Sequence, residues 1–182
     1  MKSFFYIGIL FLSSAIAIAQ SNGDQDSKTT FTFGVNIIDN NNKNKSIVPF
    51  IAGKNDFERP FFASAELRFD SNFSASVSVT TNQLRTKTGK NFYLATDLSG
   101  QFYFDDYLFY SEKIETYVGI GLGQYFIENT AYNTSSLLGG GRYWFLDQYG
   151  VSMQGIIKIG LPPVNTDIRN NYQLNLGLVW RK

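Results

Sequence analysis

Tyr172-Gln173-Leu174-Asn175-Leu176-Gly177-Leu178-Val179-Trp180 sets Tyr172, Leu174, Leu176, Leu178 and Trp180 against Gln173, Asn175 and Gly177. Successive side chains of a β-strand point to opposite faces, so this spacing gives one greasy face and one polar or small face. A helix would bring its apolar residues round every three or four positions, and no stretch of the chain does so convincingly.

The same period of two recurs upstream. Phe31, Phe33, Val35 and Ile37 alternate with Thr32, Gly34 and Asn36, and Phe61, Ala63, Ala65, Leu67 and Phe69 with Phe62, Ser64, Glu66, Arg68 and Asp70. Phe73, Ala75, Val77 and Val79 oppose a row of Ser and Thr, and Phe92, Leu94, Leu98, Phe102 and Phe104 oppose Tyr93, Asp97, Ser99 and Gln101. Ile114, Val118, Ile120 and Leu122 oppose Glu115, Tyr117 and three glycines. Leu137, Tyr143 and Phe145 oppose Ser136, Gly140 and Arg142, and Val151, Met153, Ile157 and Ile159 oppose Ser152, Gln154 and Lys158. With the closing run this predicts eight strands of about 9–13 residues, the length of a tilted bilayer crossing. The spacing predicts longer polar connections at Asn40–Arg59, Leu84–Asn91, Glu128–Ser135 and Leu161–Asn170, with tight turns at 70–72 and 146–148. Around Asp105–Lys113 two readings stand: a turn at Asp105-Asp106, or a longer turn. Alternating long and short connections, with an even strand number, fit an outer-membrane barrel whose termini face the periplasm.

Composition narrows the chemistry. The 182 residues include no His and no Cys, and 16 basic against 15 acidic side chains. Missing His removes the commonest general base, and missing Cys removes disulfides, thiolate nucleophiles and zinc–thiolate sites. A near-neutral chain has no electrostatic case for nucleic acid. No catalytic residue, cofactor site or metal site is predicted. Asp105, Asp106 and Glu112 form an acidic turn rather than an active site.

Met1-Lys2-Ser3, the apolar run from Phe4 to Leu12 and Ala15-Ile16-Ala17-Ile18-Ala19 read as a secretory signal peptide over 1–19. A polar leader over 20–28 and a barrel domain over 29–182 are expected to follow.

Alternation alone does not separate a membrane barrel from a soluble, lipocalin-like one. Two features favour the membrane. The polar face is Ser, Thr, Asn, Gln and Gly rather than Lys and Glu. Aromatic residues gather at one end of the strands, and Phe104, Tyr107, Tyr143, Trp144, Tyr149 and Trp180 are the expected interfacial girdle.

The stretch Gly139-Gly140-Gly141-Arg142-Tyr143-Trp144-Phe145, a short turn, then Tyr149-Gly150-Val151 resembles the sixth-to-seventh-strand hairpin of OmpA-like outer-membrane barrels. The run from Tyr172 to Trp180 is similar to the closing strand of that family. The resemblance implies an all-β, eight-stranded antiparallel up-and-down transmembrane barrel in a Gram-negative outer membrane, reached through a cleaved signal peptide. Many relatives carry a peptidoglycan-binding domain, and no such domain is expected after Lys182. Closing strands in the family commonly end on an aromatic residue, whereas Arg181-Lys182 follow Trp180 here.

An eight-stranded barrel is just wide enough for side chains to fill it. Inward parity assigns Glu66, Arg68, Asp97, Glu115, Arg142 and Lys158 to the interior, three acids and three bases. Unpaired buried charge is costly, so mutual pairing into a polar plug is expected. The function expected is structural or accessory within the cell envelope, with outer-membrane lipid as the partner. The alternatives are a small-solute pore, or a subunit docking on other envelope proteins through Ile47, Val48, Phe50 and Ile51 in the first long loop.

Overall fold

Nine strands form one antiparallel sheet in the computed structural model, which describes residues 28–39, 55–86, 89–108, 111, 113–127, 130–162 and 170–182. They are β1 (Lys28–Asp39), β2 (Asn55–Asp56), β3 (Phe61–Arg68), β4 (Phe73–Thr86), β5 (Gly89–Tyr103), β6 (Ile114–Ile127), β7 (Thr130–Trp144), β8 (Tyr149–Gly160) and β9 (Asn170–Arg181). The long strands pair in sequence order, and β1 closes the ring on β9 from Thr30↔Arg181 to Asp39↔Tyr172. Two-residue β2 adds to the top of β1 through Ile38↔Asp56 and Asp39↔Asn55. The architecture is a closed eight-stranded barrel with one short appended strand. The expected signal peptide, the expected leader up to residue 27 and the loop residues Ile47, Val48, Phe50 and Ile51 lie outside the described residues.

Closure explains the alternation. The outward positions of β8 are Tyr149, Val151, Met153, Gly155, Ile157 and Ile159, while Ser152, Gln154, Ile156 and Lys158 are buried inside. That outward row is about 33 Å long along the strand, or about 25 Å along the axis at a tilt near 40°, the height of a transmembrane barrel's apolar band. Ile120 on β6 is 71% exposed and Leu178 on β9 is 65% exposed, levels that bulk water would not favour for such side chains.

Residues 28 and 182 lie together at what we term the near end, where Lys182 N donates to Thr29 O at 2.9 Å. Tight turns at 69–72 and 145–148 close this end. After β5 the chain makes α1, a single helical turn at Asp105–Leu108, and β6 begins at Ile114, so the longer-turn reading holds there. At the far end the described residues of the expected long loops at Leu84–Asn91 and Glu128–Ser135 are strand. The β4–β5 ladder runs to Thr86↔Gly89 and the β6–β7 ladder to Ile127↔Thr130. Continuing the ladder keeps backbone N–H and C=O groups paired beyond the apolar band, and polar outward residues there hide the strand period from composition.

Two glycines are placed by close approach. A Cβ on Gly140 would stand 2.6 Å from Met153 O and 2.7 Å from Tyr117 Oη, and one on Gly123 would run into the Asp97 carboxylate. Tyr117 and Asp97 occupy the lumen because the facing positions carry no side chain.

Candidate functional site

Among the described residues, the lumen gathers most of the buried polar side chains. At its near end, Glu66 on β3 faces Arg142 on β7, four strands away in either direction around the ring. Arg142 Nη2 pairs with Glu66 Oε2, and Arg142 Nη1 donates to Tyr103 Oη at 2.6 Å. Tyr103 Oη donates in turn to Glu66 Oε1 at 2.5 Å. Glu115 on β6 collects three cations: Arg68 at 3.3 Å, Arg181 at 3.5 Å and Arg142 at 3.6 Å. A pair between opposite walls has to cross the barrel, so this network spans the lumen at its near end.

Aromatic faces hold the guanidinium groups in place. Arg68 lies 4.0 Å from the Tyr103 ring centroid, Arg142 lies 5.1 Å from that of Tyr117, and Arg181 lies 4.3 Å from that of Trp144. Such contacts contribute roughly 0.5–2 kcal/mol each, more where the cation is desolvated. Arg68 also donates to Ser71 O, and Arg181 Nε to Asp147 O at 2.6 Å, so both tie the network to the near-end turns.

Higher in the lumen Lys158 on β8 donates to Asp97 on β5 at 2.5 Å, and Lys158 is 1% exposed. Between the two ion-pair levels lies a cavity of about 20 Å³, lined by Ser76, Ser99, Gln101, Ser136, Gln154 and Arg142 among others. That is room for about one water molecule. Ser76 Oγ and Ser99 Oγ are 2.8 Å apart, and Gln101 Nε2 donates to Ser76 Oγ at 2.8 Å.

Above Asp97 the lumen holds an apolar cluster beside the wholly buried polar side chains of Asn36, Asn82, Asn171 and Gln173. Ile38, Leu84, Tyr93, Ala95, Tyr125 and Ile127 form one buried cluster, with Tyr132 packed against it. The rings of Tyr93 and Tyr125 stack at 5.7 Å, and those of Tyr125 and Tyr132 at 5.1 Å.

The six charges assigned inside by parity all reach the lumen, with Arg68 partly exposed at the near mouth. Arg181 belongs with them and continues the inward parity of Gln173, Asn175 and Gly177, a signal available in the sequence. The girdle needs one correction. Trp144 is 2% exposed and points into the lumen under Arg181, because it shares the parity of Arg142. Tyr107, Tyr143, Tyr149 and Trp180 keep exposed rings at the near end, Trp180 stacking on Phe31 at 5.5 Å, while Phe104 is half-buried beside α1.

No metal-binding group of three or more His, Cys, Asp or Glu occurs among the described residues. No protein-family model matches the sequence, and no curated protein does. Solved structures do match. The N-terminal β-barrel domain of Pseudomonas aeruginosa OprF is similar at 12% identity and TM-score 0.57, over 87% of this chain and 98% of that one. Neisserial surface protein A is similar at 11% identity and TM-score 0.59, over 87% and 99%. The outer membrane protein AlkL is similar at 16% identity and TM-score 0.56, over 90% and 93%. The chain therefore has the fold of the eight-stranded outer-membrane barrels.

Proposed function

We propose that the protein is an outer-membrane barrel with a structural or accessory role in the envelope, its lumen closed by its own side chains. The carrying observation is the Arg142–Glu66 pair, which spans opposite walls and is reinforced by Tyr103 and Glu115. A network whose opposite charges are mutually paired serves as a core, fixing strand register where hydrocarbon lies outside and cannot do so. The apolar outer face supports lipid as the partner, and the girdle of Tyr107, Tyr143, Tyr149 and Trp180 supports anchoring at the periplasmic interface. Among the described residues the lumen holds no nucleophile arranged with a base, and the reading is non-enzymatic.

Planar-bilayer recording of the folded protein tests closure. A closed barrel shows no steady conductance above the bare membrane. Steady conductance from the unaltered protein favours the small-solute pore and removes the reading.

A further inference from the structure

The buried far-end cluster is not needed to meet lipid, and it differs in kind from the charge network below it. Its residues come from β1, β4, β5, β6 and β7, so Ile38 on one side packs in the same unit as Leu84 and Tyr125 on the others. Ile38, Leu84, Tyr93 and Tyr125 are wholly buried. Buried polar side chains pack with it: Asn82 Nδ2 donates to Asn36 Oδ1 at 2.6 Å, and Gln173 Nε2 donates to Tyr93 Oη at 2.8 Å and to Asn171 Oδ1 at 3.1 Å. Below it lies the small polar cavity, onto which the unpartnered, buried Gln101 Oε1, Asp97 Oδ1 and Arg142 Nε belong by residue.

We propose that the barrel is sealed twice, by the ionic network at the near end and by a packed plug of aliphatic and aromatic side chains at the far end. The polar chamber between them is an occluded water site. This rests on the closed-lumen reading and deepens it. The two seals work by different physics. The near seal holds because its charges would be left unpaired if it parted, and the far seal because opening it wets packed apolar surface. Breaking one leaves the other shut. The chamber then becomes reachable from one side only.

The absence of Cys in the chain makes a direct test possible. Ser99→Cys places one thiol in the chamber, where Ser99 is buried. A near-end breach is Glu66→Ser with Arg142→Ser, which leaves neither partner of that pair stranded. A far-end breach is Leu84→Ala with Tyr125→Ala. Folding of each variant is checked by heat-modifiable migration, and labelling by a small methanethiosulfonate reagent is timed. In the otherwise intact barrel Ser99→Cys should react more than about tenfold slower than after either breach, because thiol reactivity requires access. In planar bilayers neither breach alone should conduct, and the two together should.

Rapid labelling in the otherwise intact barrel, conduction after a single breach, or no conduction after both overturns the double seal. Conduction by the unaltered protein would instead sink the closed-lumen reading beneath it, so the two failures are distinct.

Discussion

Within the apolar band the barrel has a polar inside and a greasy outside, whereas its far end is built more like a water-soluble protein. On β8 the outward row is Tyr149, Val151, Met153, Ile157 and Ile159, and Lys158 and Gln154 lie within. At the top of β4 the outward residues are Thr81, Gln83 and Arg85, and Leu84 is wholly buried inside. On β6 and β7 Gln124 Nε2 donates to Asn133 Oδ1 at 2.8 Å on the outer surface, and Tyr125 and Tyr132 stack behind it. The change is incomplete, since Phe92 stays exposed at that level. Each face takes the polarity of its surroundings, and one strand can change character along its length. In lipid, greasy packing gives no inward driving force, so ion pairs specify the interior. In water the hydrophobic effect returns and an apolar core suffices.

The largest expected effect breaks the ionic half of this contrast. Arg142→Ala leaves Glu66 buried without its cation and should cost about 3–5 kcal/mol in urea-dependent folding into lipid vesicles. Replacing Arg142 and Glu66 together with apolar residues of similar volume should recover most of that loss. A double replacement as damaging as the single one would mean that the charges are not acting as a pair. Next in size is the outer surface. Ile120→Arg in the band should destabilise by about 2–4 kcal/mol, while Asn133→Arg beyond it should cost less than about 1 kcal/mol. Equal penalties would erase the boundary drawn between the two regions.

How much of this was legible depended on which region a residue occupies. In the band, a period of two carries both the strand and its facing, so Asp97 and Lys158 are assigned to the lumen from spacing alone. Their partnership is not readable that way. It depends on ring closure and on which inward positions share a level, facts held by the β1–β9 register and the stagger of the ladders. Trp144 shows the cost of ranking composition above parity: a Trp near a strand end suggests the interface, but its place two residues after Arg142 sends it inward. At the far end the rule itself changes. Leu84 falls among Gln83, Arg85 and Thr86, so a pattern tuned to greasy outward residues reads its segment as loop. Tyr93, between Phe92 and Leu94, already reads as an inward strand position.

A smaller effect sharpens the far-end wall. Between β2 and β3 the chain passes Arg59, an exposed residue held at φ 54°. Asn36 and Asn82, both fully buried, hold this segment: Asn36 Nδ2 donates to Phe61 O at 2.7 Å, and Glu58 N donates to Asn82 Oδ1 at 3.2 Å. A left-handed conformation costs a side-chain-bearing residue about 1–2 kcal/mol. Arg59→Gly should therefore stabilise the barrel by up to about 1 kcal/mol, after Gly's own entropic cost, in the same urea titration. A loss of stability would show that the Arg59 side chain makes a contact worth more than the strain.

The smallest effect is a pH response confined to that same segment. Asp56 is buried beside Arg85, and burial raises its pKa from 3.8 despite the partial compensation of that arginine. Glu58, two residues on, is exposed and accepts a hydrogen bond from Lys90, which lowers its pKa from 4.5. The consequences for stability are opposite in sign. Asp56 binds its proton more tightly when folded, so acidification through its raised pKa favours the folded segment. Glu58 stabilises above 4.5, and that contribution is lost as pH falls through its lowered pKa. Carboxyl-carbon NMR titration should find Asp56 above 3.8 and Glu58 below 4.5, narrowing or reversing their intrinsic order. Lys90→Ala should return Glu58 toward its ordinary value and leave Asp56 raised, because proximity to a cation governs one group and burial the other. If both carboxylates moved together, the segment would titrate as one coupled unit, and the water-facing end would share the electrostatic coupling that marks the lumen within the band.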